Sequence, residues 1–123
     1  MRRPGLYRQV FGSVIFVLSV AAFADGTVSG WNRFVYLSYR LEVTNYCSLT
    51  TQRAVDGYQQ RRRDLLIQYE FDQNLIESAQ GEAWKLAYRE WDNRGLGGFR
   101  RWCARDGQQY LDFLESIPIS AKN

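Results

Sequence analysis

The side chains best suited to acid–base chemistry are the carboxylates Glu82, Glu90 and Asp92. Two acids with different pKa values can hydrolyse a glycosidic bond, one as general acid and the other as base or nucleophile. Glu90 and Asp92 are only two residues apart, however, and residues at that spacing on a helix point in different directions. A carboxylate-based hydrolase is therefore the alternative interpretation, and we predict no catalytic residue.

The chain contains no histidine, and this removes several kinds of chemistry. A Ser-His-Asp or Cys-His nucleophile system needs an imidazole base. Histidine-rich zinc sites and imidazole pH switches need the same side chain. We predict no metal and no cofactor, and any catalysis would have to use carboxylates, arginine or tyrosine.

The glycine-rich segment 92–98 (DNRGLGG) has two interpretations. It lacks the alternating acids and the final glutamate of an EF-hand calcium loop. Backbone N–H groups at the start of a helix can bind an anion, and Arg94, Arg100 and Arg101 would surround it. The simpler interpretation is a corner between two helices.

The same region predicts a surface rich in aromatic residues and arginine. Tryptophan, tyrosine and arginine are enriched at the hot spots of protein interfaces. The predicted binding residues are Trp91, Arg94, Gly97, Gly98, Arg100, Arg101, Trp102 and Arg105. In the competing interpretation the aromatic residues Trp91, Phe99 and Trp102 belong to the core, and the arginines form only its charged rim.

Residues 1–24 have the composition of a secretory signal peptide. Three arginines precede the apolar run 14–23, and this run of about ten residues is shorter than the ~20 needed to span a bilayer. Ala22-Phe23-Ala24 matches a small-x-small cleavage site. We therefore expect an exported protein, periplasmic or secreted, with no stable membrane insertion after cleavage. An uncleaved N-terminal anchor is the alternative.

Removal of this leader changes the charge balance. The leader holds three of the 16 basic residues and none of the 13 acidic ones, so residues 25–123 contain 13 of each. Binding to nucleic acid depends on excess positive charge. We therefore predict that the partner is not a nucleic acid. The length of residues 25–123, about 100 residues, predicts a single domain.

The two cysteines, Cys47 and Cys103, are expected to form a disulfide, because oxidising compartments favour pairing in exported chains. Closing so long a loop would stabilise the fold by about 4 kcal/mol in the chain-entropy model. A catalytic or metal-binding thiol pair is the weaker alternative, since no histidine is present to assist it.

Apolar spacing predicts an all-α fold, a small antiparallel bundle of three to four helices with one disulfide. We predict helices from Trp31 to Cys47, from Thr50 or Thr51 over 25–28 residues to about Ala79, from Glu82 to Trp91, and from Phe99 to Ile117. Alternation of apolar and polar residues in the first segment also fits a β-strand. Because no other segment would pair with a lone strand, we favour the helix.

Four glycines interrupt these patterns. We expect a bend at Gly57, a break or kink near Gly81, and a left-handed helix end close to Gly95. Gly107 lies inside the last helix, where it would permit a close backbone approach or a kink. The third helix carries one apolar stripe, formed by Trp84, Ala87, Tyr88 and Trp91.

The overall layout is a signal peptide, about 100 helical residues and one long-range disulfide. This layout is similar to that of small periplasmic chaperones and of periplasmic inhibitor or immunity proteins. The similarity is one of architecture and assigns no function by itself. Our leading hypothesis is a non-enzymatic protein that acts by protein–protein binding, as an envelope stress, inhibitor or accessory protein of a bacterium. The partner would be another envelope protein, and a homodimer is also compatible with the layout.

Overall fold

The computed structural model describes residues 28–120, with the backbone alone at residues 95–97. The chain divides into two compact units, Met1–Gly30 and Trp31–Asn123, and the features below belong to the second, apart from the first three residues of α1. The predicted signal peptide, residues 1–24, lies outside the described residues. It therefore stays a prediction, as does the domain boundary at residue 25.

Helices dominate the described part of the chain, which contains no strand. They are α1 (residues 28–46), α2 (Gln52–Tyr69), α3 (Gln73–Asn93), α4 (Gly95–Trp102) and α5 (Gln108–Ser116). A π-helical turn, Cys103–Gly107, joins α4 to α5. The all-α prediction is confirmed, and the first segment is a helix rather than a strand.

The predicted long second helix is wrong. Its start is confirmed, because the Thr51 side chain accepts a hydrogen bond from the backbone N–H of Ala54 and caps α2. The helix ends at Tyr69, however, about ten residues earlier than expected. Glu70 adopts the left-handed conformation with φ of 53°. A left-handed residue is a common helix terminator, although glycine usually occupies this position.

A second helix begins immediately after this turn. The Asp72 carboxylate accepts a hydrogen bond from the N–H of Leu75 and caps α3. Phe71, in the turn itself, packs edge-on against Phe34 with ring centres 6.1 Å apart. The turn is therefore held by a helix cap and by burial of an aromatic ring. The apolar spacing simply continues through it, which is why the sequence pattern concealed it.

The glycines act mainly through packing. A Cβ atom at Gly57 would collide with the carbonyl oxygen of Leu114, so the expected bend is instead a close contact between α2 and α5. Gly81 lies within α3 with open space around it, so the expected break is absent. At Gly107, a Cβ would lie 3.0 Å from Sγ of Cys47, as expected for a close approach.

The last helical segment starts earlier than predicted. It begins at Gly95 rather than Phe99, and Arg94 before it has right-handed helical angles, φ −76° and ψ −21°. The expected left-handed helix end is therefore absent. At the other end, Ile117 is extended before Pro118, because proline disfavours a helical conformation in the preceding residue.

The core has two parts. The larger cluster contains Phe34, Val35, Leu37, Ala54, Tyr58, Leu65, Ile76, Ala79, Ala83, Leu111, Leu114 and Ile117. A smaller cluster, formed by Val43, Ala87 and Trp102, packs against the disulfide. The predicted Cys47–Cys103 disulfide is confirmed, with Cα atoms 5.4 Å apart. Among the described residues, none of the helices has the length and hydropathy to cross a membrane.

Candidate binding surface

Trp102 was predicted as a binding residue, and the structure places it in the core. Only 2% of its surface is exposed, and it packs with Val43 and Ala87 beside the disulfide. The neighbouring Cys103 is tied to α1, which turns this side of α4 inward. Trp102 therefore cannot contribute to an accessible surface in this structure.

The predicted arginines do not converge on one site. Arg94 forms an ion pair with Glu90 one helical turn earlier, and its guanidinium lies 5.3 Å from the centre of the Trp102 ring. Arg105 pairs with Asp106 at 3.1 Å. Arg100 and Arg101 are exposed on α4. Arg94 thus serves the packing of the disulfide end.

The predicted anion loop, residues 92–98, contains the end of α3, Arg94 and the first turn of α4. Gly97 and Gly98 both lie within this helix, and Gly98 is exposed. Arg94, which was expected to face an anion, instead binds Glu90. An anion at this turn stays a prediction.

An exposed stack of aromatic rings lies on α3. Trp84 and Tyr88 stack with ring centres 5.4 Å apart and planes tilted by 13°. Trp91 follows Tyr88 at 6.2 Å, and Tyr46 of α1 stacks on Trp91 at 5.5 Å. We call Tyr46, Trp84, Tyr88 and Trp91 the aromatic ladder. Of the predicted binding residues, Trp91 alone belongs to it.

The ladder corrects the predicted apolar stripe of α3. The buried line of this helix consists of Ile76 and three small residues, Ala79, Ala83 and Ala87, spaced four apart. The three aromatic residues lie to one side of that line, and Trp84, Tyr88 and Trp91 are 51%, 43% and 40% exposed. The four-residue spacing of the alanines was the available signal, and the larger aromatic residues concealed it.

Glu42 of α1 is a partly buried acid. Burial raises its pKa, and a hydrogen bond with the Asn45 side chain acts in the opposite direction. Its charge in turn raises the pKa of Tyr46, although burial of the phenol has the larger effect. The Tyr46 phenol therefore stays protonated at neutral pH.

A second feature is an open groove of about 270 Å³ between α1, α3 and α5. Its apolar walls are Val35 and Leu86, and its polar lining consists of Tyr36, Tyr39, Arg89, Glu90 and Tyr110. We call this feature the tyrosine groove. No sequence pattern pointed to it, because the lining comes from three helices that are distant in the chain.

Two phenols of the groove interact with each other. The rings of Tyr39 and Tyr110 meet edge-to-face with centres 5.8 Å apart. Burial raises the pKa of both phenols, and the mutual effect of their charges adds to it at Tyr39. Both hydroxyl groups therefore remain protonated, and available as hydrogen-bond donors, throughout the physiological pH range.

The candidate acids for hydrolysis do not form a pair. Glu90 lines the groove but is bound by Arg94. Glu82 is eight residues from Glu90 on α3, about 12 Å along the helix axis. Paired acids of glycosidases are separated by roughly 5–9.5 Å. Within residues 28–120, no cluster of acidic or cysteine side chains could hold a metal ion.

Comparison of the chain with protein-family models, curated proteins and solved structures finds no match.

Proposed function

We propose that this chain is a small exported helical protein that acts by binding another protein through the aromatic ladder. The observation that carries the proposal is the exposure of three stacked aromatic side chains on one helix, Trp84, Tyr88 and Trp91. Exposed clusters of large apolar side chains are typical of interaction sites, whereas isolated exposed apolar residues are common everywhere.

The stacking itself favours binding. Each ladder ring is held by a neighbouring ring and by the rigid backbone of α3 or α1. Little side-chain freedom is then lost when a partner docks, so less of the binding free energy is spent on ordering the surface. Tryptophan and tyrosine are also the residue types most enriched among interface hot spots.

Export is the second part of the proposal. The Cys47–Cys103 disulfide is of the kind found in proteins that fold outside the reducing cytosol. The predicted leader, residues 1–24, would direct the chain to a bacterial periplasm or to the exterior. The partner would then be another protein of the cell envelope, and the role that of a stress, inhibitor or accessory protein.

Affinity capture with matched variants tests the ladder. The double variant Trp84→Ala/Tyr88→Ala removes the exposed stack, while Ile67→Ala removes a comparably exposed apolar residue from α2. We expect the wild type and Ile67→Ala to retain the same partner and the double variant to lose it. Retention by the double variant, with its fold intact by circular dichroism, would rule out the ladder as the binding surface.

A second copy of the chain is the other candidate occupant of the ladder. Sedimentation equilibrium of wild type and double variant separates the two cases. A wild-type dimer that dissociates in the double variant identifies a self-interface, whereas two monomers leave the ladder to a different protein.

The alternative function, a carboxylate-based envelope hydrolase, would depend on Glu90. Among the described residues, it is the single carboxylate that lines the tyrosine groove, and Arg94 binds it. Glu90→Gln keeps the shape of this side chain and removes its charge. Under the binding proposal this variant captures the partner as the wild type does; loss of an envelope-hydrolysing activity would favour the alternative.

A further inference from the structure

The tyrosine groove and the aromatic ladder lie on opposite sides of α3. At about 100° per residue, the groove residues Leu86, Arg89 and Glu90 point roughly 180° away from Trp84, Tyr88 and Trp91. On α3, the groove therefore presents a surface separate from the ladder.

The charges around the groove are unbalanced. Its carboxylate, Glu90, is neutralised by Arg94, and the nearby Asp106 is neutralised by Arg105. Within the described part of the chain, Arg89 has no carboxylate within ion-pair distance. Arg89 is therefore the unpaired charge among the lining residues of the groove.

A second guanidinium lies beside the groove. Arg40 lies 4.1 Å from the centre of the Phe113 ring and 5.6 Å from that of Tyr36, which lines the groove. It lowers the pKa of Tyr110, although burial and the charge of Asp106 each raise that pKa by more. Among the described residues, Arg40 likewise has no ion-pair partner.

The phenols supply hydrogen-bond donors. Among residues 28–120, the hydroxyl groups of Tyr39 and Tyr110 have no hydrogen-bond partner. Both are neutral and can donate. The walls beside them are apolar, formed by Val35, Leu86 and the tyrosine rings. An apolar cavity with a few convergent polar groups is the usual form of a small-molecule site.

We propose that the tyrosine groove binds a small aryl carboxylate. The aromatic body packs against Val35, Leu86 and the tyrosine rings, and the carboxylate faces the Arg89 guanidinium and the phenol donors. The volume of about 270 Å³ suits a ligand with one ring, since it is close to the lower limit of known ligand pockets. A guanidinium is well matched to a carboxylate, to which it can donate two parallel hydrogen bonds.

A matched series of probes tests the charge requirement. The 15N-labelled protein is titrated, with amide chemical shifts as the readout, with 3-phenylpropanoate, its neutral amide 3-phenylpropanamide and the cation 3-phenylpropylamine. We expect saturable shifts at residues around Tyr39, Leu86 and Tyr110 with the anion. The amide should bind about tenfold more weakly, because it lacks the charge-assisted hydrogen bonds. The amine should not bind.

Two variants locate the charge. Arg89→Gln alters an exposed side chain, so the fold should persist. This variant should bind 3-phenylpropanoate only as weakly as the wild type binds the neutral amide. Arg63→Gln removes the same unit charge from an exposed position on α2, outside the groove, and should leave affinity unchanged. Tyr39→Phe, which keeps the ring and removes the donor, should weaken binding of the anion several-fold.

Several results would overturn the proposal. One is the absence of saturable shifts with the anion up to ~10 mM, a concentration at which a site with a Kd of about 1 mM would be largely occupied. Equal affinity for all three probes would show that only the apolar walls bind. Shifts located away from the groove, or an equal loss of affinity in Arg63→Gln and Arg89→Gln, would contradict the assigned site.

Discussion

The two tryptophans Trp91 and Trp102 belong to regions of opposite character. Trp102 is enclosed at the disulfide end of the bundle, where the Cys47–Cys103 bond, Gly107 and Val43 meet. Trp91 lies in the aromatic ladder, stacked on Tyr46 and partly open to solvent. Both rings make close contacts, but only those of Trp102 exclude water.

This contrast separates folding from recognition. At the disulfide end, Val43 and Trp102 contribute apolar burial, which is the main favourable term in folding. In the ladder, stacking orders the rings without burying them, so much of their apolar surface remains available to a partner. We infer that the disulfide end supports the bundle and that the ladder contributes little to its stability.

Truncation of Trp102 should have the largest effect on stability. Trp102→Ala removes a fully buried ring and should lower the free energy of unfolding by about 3–5 kcal/mol. Trp84→Ala, in the ladder, should cost less than about 1 kcal/mol, since the ring is half exposed. Urea denaturation of both variants measures the difference. Equal losses would remove the distinction between the two regions.

Loss of the disulfide should come next. Cys47→Ser/Cys103→Ser opens a bridge between residues 56 apart, and should destabilise the fold by about 2–4 kcal/mol. Thermal unfolding of this variant, beside wild type with and without reductant, provides the measurement. If neither the double substitution nor the reductant lowers the Tm, the disulfide does not stabilise the fold, and the packing of Trp102 accounts for the stability of this end.

The glycines offer a matched pair with effects of opposite sign. Gly57→Ala places a methyl group against the Leu114 carbonyl and should cost about 1–3 kcal/mol, because overpacking outweighs the gain in helix propensity. Gly81→Ala meets open space and should stabilise α3 by up to about 1 kcal/mol. Denaturant midpoints report both effects. Stabilisation by Gly57→Ala would contradict the close contact of α2 with α5.

The smallest predicted effect concerns pH. Burial raises the pKa of Glu42, so the folded state favours the protonated acid, and ionisation costs stability as pH rises above the usual value of 4.5. Glu42→Gln should therefore raise Tm at pH 7, and the gain should vanish when the pH falls below that value. Glu77→Gln, an exposed change on α3, controls for the loss of a negative charge. A gain for Glu42→Gln that is independent of pH would exclude this cause.

Local signals in the sequence were sufficient for much of the fold. The cysteine pair, the cap at Thr51 and the end of the last helix before Pro118 each depend on residues that act in place. The turn between α2 and α3 was missed because apolar spacing continues through it. Asp72 is a strong cap residue, but its effect becomes visible only once Phe71 is seen to pack on α1.

The candidate surfaces were less accessible to sequence reasoning. The apolar residues of α3 were taken together, whereas the helix buries its alanines and exposes its tryptophans. The sequence predicts one surface for Trp91 and Trp102. A helix corner lies between them in the chain, and no local pattern shows which of the two rings is buried. The tyrosine groove combines residues from three helices, so only their packing creates it.

Site-specific photo-crosslinking in the cells that make the protein tests the central claim most directly. A photoreactive residue replaces Tyr88 in the ladder in one strain, and Ile67, exposed on α2, in another. We predict that irradiation gives a discrete adduct from position 88 and none from position 67. Identical adducts from both positions, or none from position 88 in correctly folded protein, would contradict the role of the ladder in binding.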